Sequence, residues 1–328
     1  MFTQAGLPRI LGRVDVTGSS VRISSADKNC EILSDGREPA EVGRLISRLD
    51  GKTRISALAH AEPNLSGSEI AELLDALDQA GLIDDEEPAE AISGKDLILE
   101  IEDLVERHSE RTIQRNPFWT KCLSVAVPGD LPERLAIGMV IENWHFLFRE
   151  SYFDAPVLSY VSNTGARLEM NRFFSEEYGH DEILLRSLNS VGISRADMLD
   201  AIPLPETMAL CNSLAFWAHT DPLFFFTTLG LLEGQSLETD SFIDACERAQ
   251  FKPEFIEPLR THSNINVNAG HGNLTRELFA HLPSFSLRKA AQMKAQVPLF
   301  VELYDNFYAG VWRYYTGEGP LLRRTSDL

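Results

Sequence analysis

The stretch EEYGHDE, residues 176–182, places Glu177 three positions before His180. On a helix that spacing turns both side chains to one face, within reach of a common atom. A neutral imidazole with a carboxylate is a donor pair that non-haem iron, manganese or zinc accepts. The spacing recurs at Glu142 and His145 in ENWHFLF, residues 142–148. Each pair lies in a strongly apolar run that predicts a helix buried in a bundle, where a charged carboxylate lacking a cation or donors is prohibitively costly. Two such pairs predict a mostly α domain with a site inside it.

Working outward, helical periodicity begins at Asp96. Leu97, Ile98, Ile101, Leu104 and Val105 form one stripe that stops before Asn116-Pro117. The run 131–153 is apolar on most of its circumference, and the helix carrying Glu177 and His180 is expected from about Ala166, the segment ending at Gly192. Pro205 opens a further helix, and Asp221-Pro222 breaks and restarts it. After Asp221, Glu233 is the one charged residue in DPLFFFTTLGLLEGQ. His262 and His271 follow in THSNINVNAGHGNLTRELF, the latter between two glycines, which suggests close packing or a bound group there. A long closing helix is expected to be interrupted near Pro298, and residues 317–328 read as a mobile tail. His108 and His219 read as polar partners of helix ends.

The first ninety residues are different. GRVDVT, SSVRIS and NCEILSD are short, rich in Val and Ile, and separated by turn residues, the pattern of an antiparallel meander. Three short helices are then expected: one from Pro39, one over ISALAHA with Thr53 as cap, and one capped by Ser66 or Ser68 with Ile70, Leu73, Leu74 and Leu77 on its stripe. Strands followed by three helices predict a small α+β winged-helix-like domain over 1–88. The acidic DDEEPAEAISGK, residues 84–95, reads as linker, with 89–95 set between the two domains and a helical domain following over 96–316. The third helix carries Glu69, Glu72, Asp75 and Asp78 and no Lys or Arg, the wrong sign for a phosphate backbone.

Charge extends that exclusion to the whole chain. With 49 acidic against 30 basic residues the net charge is −19, which disfavours nucleic acid and anionic membranes as partners. No apolar run approaches the length of a membrane span, and the N-terminus has no signal-like core. Cys30, Cys122, Cys211 and Cys246 form no CxxC pair, so neither a zinc ribbon nor a disulfide framework is expected. A reduced cytoplasm fits these features.

The segment LDGKTRISALA…EIAELLDALDQAGLIDD, within residues 8–85, resembles the small peptide-binding winged-helix domains of ribosomal-peptide modification systems. The resemblance implies a leader peptide added as a strand at a sheet edge; a packing domain without a ligand is the other reading. SEEYGHDEILLRSL, ISRADMLDAIPLP and LGLLEGQSLETDSF, within 96–315, resemble the haem-oxygenase-like superfamily. It contains thiaminase-II-type hydrolases, cofactor-free pyrroloquinoline-quinone synthase and diiron oxidases and oxygenases. That resemblance implies a bundle of about seven helices. In the oxidase branch it implies iron held by Glu177 and His180, by Glu233 on a later helix and by His271, the last residue of a His-x-x-x-Asp-x-x-His cluster. The cluster's other two positions fall on Asn264 and Asn268, neutral amides that bind iron poorly, and His262 is the substitute at hand. One iron is therefore expected, with a second weak or absent. Glu142 and His145 would add ligands, orient the site or act as acid–base groups.

The expected function is that of an oxygen-dependent oxidoreductase using non-haem iron on a peptide or amino-acid-derived small molecule in a biosynthetic pathway, with a homodimer compatible. The alternatives are a cofactor-independent oxidase or hydrolase on the same fold, and a non-enzymatic leader-peptide-binding scaffold.

Overall fold

The computed structural model describes residues 6–24, 29–33, 36–86, 91–160, 163–232, 241–269, 273–282 and 284–327. The chain divides into two compact units, Met1–Glu90 and Ala91–Leu328, each with its own apolar core.

The first unit runs β1 (Leu7–Ile10), β2 (Arg13–Val16), β3 (Ser20–Ser24), β4 (Asn29–Leu33), α1 (Pro39–Ser47), α2 (Ile55–Ala61), α3 (Gly67–Gln79) and β5 (Ile83–Glu86). β2, β3 and β4 form the antiparallel meander that their alternation predicts. Val21 and Ile23 of β3 are fully buried in one core with Val42, Leu45 and Ile46 of α1. α3 begins with a capping box: Ser66 Oγ accepts from the Glu69 backbone N–H while the Glu69 carboxylate accepts from the Ser66 N–H. Those bonds, with the Arg37 guanidinium, hold the Glu69 carboxyl down at about 2.

Two local expectations fail here. Thr53 does not cap α2; its N–H goes to Asp50 Oδ1, and Arg54 stands at the cap with no side-chain bond. The acidic stretch expected as a linker is partly sheet. Ile83–Glu86 pairs antiparallel with β1, anchored by buried Leu82 and Ile83, so that tertiary burial overrides an unpromising composition.

In the second unit β6 (Ala91–Ser93), also within the expected linker, is followed by α4 (Gly94–Ser109), α5 (Pro117–Ser124), α6 (Glu133–Leu147), α7 (Ser151–Val157), α8 (Thr164–Glu177), α9 (His180–Ser190) and α10 (Arg195–Asp200). Then come α11 (Pro205–Thr220), α12 (Pro222–Leu232), α13 (Ser241–Arg248), α14 (Pro253–Ala269), α15 (Leu274–Ala280), β7 (Ser284–Ser286) and α16 (Leu287–Tyr315). β6 pairs with β7, and Ser93 caps α4 by accepting from the Asp96 N–H. Thirteen α-helical segments therefore stand among the described residues of this unit, where about seven were expected. The excess comes from breaks inside expected helices, such as Phe148–Glu150 between α6 and α7.

α16 is the converse case: it continues through Pro298 without interruption. Buried Val297, Phe300 and Val301 hold that turn in the core despite the backbone hydrogen bond a proline removes. α16 packs against α4, α6 and α11, and α9 against α6 and α14. The tail is not loose. The Ile202 N–H donates to Arg323 O at 2.6 Å, Arg323 returns a bond to Pro203 O at 2.8 Å, and Arg324 pairs with Asp197 at 2.6 Å. No helix among the described residues is long and apolar enough to cross a membrane.

Candidate metal centre

Glu177 and His180 do not share one helix. Glu177 is the last residue of α8 and His180 the first of α9, with Gly179 between them at φ +96°. A left-handed backbone suits glycine. The break re-aims the chain, yet the side chains still meet: His180 Nδ1 lies 2.5 Å from Glu177 Oε2, with the two residues 4% and 2% exposed. Gly179→Ala is expected to cost about 1–2 kcal/mol in urea-unfolding stability, and to weaken metal binding because the turn sets where His180 points.

His262 joins them from α14. Its ring centroid lies 4.7 Å from that of His180, the rings nearly perpendicular at 83°. One donor atom each from Glu177, His180 and His262 falls within 4.8 Å of the other two. α14 is fastened to α9 nearby, where the buried Ser187 Oγ donates to Phe255 O at 2.6 Å. Two imidazoles and one carboxylate are the donor set of mononuclear non-haem iron sites. Ligand atoms on one ion at right angles stand about 3 Å apart, a spacing between the 2.5 Å contact and the 4.8 Å limit seen here. The residues present fit an iron ion. Gathering a carboxylate and two imidazoles out of water is costly, and a divalent cation offsets that cost.

Beside the donors lies a cavity of about 180 Å³, bordered by Glu177 and His262 and by residues of α5, α6, α9, α11, α13, α14 and α16. On α6 the cavity stripe is Met139, Asn143, Phe146 and Leu147. Asn143, Trp119, Tyr304 and Tyr308 were not singled out in the sequence. An amide inside an otherwise apolar stripe, and two tyrosines four apart on the closing helix, were the signals available.

Residues 144–305 match the haem-oxygenase-type family of iron-containing redox enzymes. The matched segment contains Glu177, His180 and His262, and it begins just after Glu142 and Asn143. Among solved structures, the chain is similar to a domain of unknown function with a haem-oxygenase-like fold from Shewanella denitrificans. The TM-score is 0.55 and the identity 20%, over 69% of this chain and 94% of that one. It is also similar to a TenA homolog from Pseudomonas syringae pv. tomato, with TM-score 0.51 and 14% identity, over 66% of this chain and 92% of that one. At such identities these likenesses establish the fold alone. No match is found among curated proteins. The family match lies wholly in the second unit, so it does not bear on the winged-helix or peptide-binding expectation for the first.

The other expected site residues are placed elsewhere or lie outside the description. Glu233 and His271 fall outside the described residues. Glu142, 1% exposed, accepts from the Leu204 N–H at 3.0 Å, Thr207 Oγ1 at 2.5 Å and the Tyr315 hydroxyl at 3.0 Å. Burial pushes its carboxyl up and these donors partly oppose the shift; burial, then the Glu142 charge, also raises the Tyr315 hydroxyl. Tyr315 packs so tightly over Gly138 that a Cβ there would lie 2.2 Å from its ring. Glu142 is thus a knot joining α6, the start of α11 and the end of α16, and not a member of the iron-donor group.

His145 is likewise buried, with Arg149 donating to its Nδ1 at 3.2 Å and to its carbonyl at 2.9 Å. Burial, and then the Arg149 charge, hold its imidazole down at about 3. An unfolded histidine titrates near 6.5, so below that pH the unfolded chain takes up a proton that the folded chain refuses. This contribution is full above about pH 6.5 and is lost as pH falls toward 3, at up to about 1.4 kcal/mol per pH unit. Chemical denaturation at pH 7, 6 and 5 is expected to show a shallower loss in His145→Leu than in the parent.

Proposed function

We propose that this protein is a non-haem iron oxidoreductase that oxidises an organic substrate, peptide or amino-acid-derived, with dioxygen as the acceptor of electrons. The observation that carries this reading is the meeting of buried Glu177 and His180 with half-buried His262 at the edge of a cavity rich in aromatic and aliphatic side chains; the iron-redox family match over the same residues supports it. Glu177, His180 and His262 would hold the ion, which when bound supplies one-electron chemistry with dioxygen that no side chain here can provide. The carboxylate of Glu177 would supply the one anionic donor, and its contact with His180 Nδ1 orients that ring. The aromatic and aliphatic part of the walls would shield a bound substrate from bulk water.

The same reading assigns the first unit to peptide presentation, with β4, an outer strand of its three-stranded sheet, as the edge that would receive a peptide strand. The direct His180–Glu177 contact also suits an acid–base pair, which keeps a cofactor-independent oxidase or hydrolase as the second reading.

The test is anaerobic iron loading of the full chain followed by desalting. Iron retained in stoichiometric amount, removed by a chelator and absent from Glu177→Ala, is the expected result. Sub-stoichiometric iron unaffected by that substitution contradicts the reading, and turnover that survives chelation favours the second.

A further inference from the structure

We propose that the cavity beside Glu177 and His262 takes a neutral, single-ring aromatic group bearing a hydrogen-bond acceptor, received by the indole N–H of Trp119 and the carboxamide of Asn143. The proposal names the substrate class of the site described above and in that respect rests on the iron-enzyme reading.

Size comes first. The cavity measures about 180 Å³, and an apolar cavity of about 150 Å³ takes up benzene. One six-membered ring with two or three further heavy atoms fills it. A haem macrocycle or a long acyl chain is too large to enclose, since pockets for drug-sized ligands run to about 300 Å³ and above.

Shape and surface come next. Trp119, Phe146, Phe242, Tyr304, Phe307 and Tyr308 border the space, and ring edges and faces favour another ring between them. Trp119 is held in place by edge-to-face packing on Phe118 at 5.1 Å and on Tyr308 at 4.9 Å. Met139 supplies a side chain that adapts to ring substituents.

In the metal-free protein charge disfavours anions. Among the described residues no Lys or Arg borders the cavity, and the one charged side chain there is the carboxylate of Glu177. Without a bound cation, a carboxylate or phosphate on the ring would be desolvated beside that charge.

The polar requirement comes from two donors. Trp119 Nε1 is buried and has no hydrogen-bond partner among the described residues. Asn143, on the cavity face of α6, has no side-chain hydrogen bond to any described residue. A buried donor left unmade is costly, and a ligand oxygen that accepts from it recovers the loss.

The experiment uses metal-free full-length protein with three probes: acetophenone, its acceptor-less counterpart ethylbenzene, and benzoate. Calorimetry gives the affinities. The indole N–H resonance of Trp119, assigned by its absence in Trp119→Phe, gives the contact. Acetophenone is expected to bind at one site, to shift that resonance, and to bind about fivefold more tightly than ethylbenzene, as one hydrogen bond allows. Benzoate is expected to bind most weakly. The preference for acetophenone should fall toward unity in Trp119→Phe, or in Asn143→Ala should the first variant not fold.

Ethylbenzene binding as tightly as acetophenone, benzoate binding most tightly, or no binding by any probe overturns the proposal. Because iron is absent throughout, failure of the iron reading leaves these affinities unchanged. Failure of ring binding likewise leaves iron stoichiometry unchanged.

Discussion

Glu142→Ala is expected to lower the unfolding free energy by about 3–5 kcal/mol, the cost of leaving three buried donors unsatisfied at about 1–3 kcal/mol each. Three donors from distant parts of the chain, the Leu204 N–H, Thr207 Oγ1 and Tyr315 OH, converge on this one carboxylate. Removing it strands all three away from water. Thr207→Ala and Tyr315→Phe each take away a single donor and should cost about 1 kcal/mol in hydrogen bonding, before any packing loss. Glu142→Gln keeps the shape but turns an amide N–H₂ toward donors, so its cost should fall between these. Urea titrations of the four variants test the order. Iron affinity of the soluble Glu142→Gln protein should stay within about twofold of the parent, because the proposed iron donors are Glu177, His180 and His262, whereas the partners of Glu142 are at the start of α11 and the end of α16. A stable variant that has lost its iron would return Glu142 to the site.

His262→Ala is expected to lower iron(II) affinity by at least about 100-fold. Loss of a residue that merely orients a ligand already costs about 10–100-fold, and His262 is one of the three donors of the proposed site. Glu177→Ala should be at least as damaging, since it removes the anionic donor and also the group that holds His180 Nδ1. Affinity in the parent should rise with pH, because cations and protons compete for the same imidazole and carboxylate atoms. Anaerobic titration against a competing chelator at two pH values measures all three effects. Equal affinity in His262→Ala and the parent would remove α14 from the site.

The Glu-x-x-His spacing foretold that the Glu177 and His180 side chains meet, though through a helix that the chain does not form. Gly179 stands at +96° between them, and nearness along the chain, not a shared helix face, lets them touch. The identical spacing at Glu142 and His145 shows what such a pattern leaves out. Its meaning depends on Thr207 and Tyr315, 65 and 173 positions further along the chain, and no local periodicity carries that information. His262 was legible only as a substitute donor, because its approach to His180 is set by the packing of α9 on α14. In the first unit, alternation foretold the meander, and Pro39, the apolar stripes and the Ser66 cap foretold the three helices, although the cap expected at Thr53 did not form. The β1–β5 pairing was hidden because Asp84 and Asp85 look like linker, whereas Leu82 and Ile83 anchor them to a core.

Iron K-edge X-ray absorption on the anaerobically loaded protein tests the three-donor site most directly. The expected spectrum is that of iron bound only through nitrogen and oxygen, with multiple scattering from two imidazoles that falls to one in His262→Ala and in His180→Ala. Imidazole scattering unchanged by both substitutions, or missing from the parent protein, would contradict it.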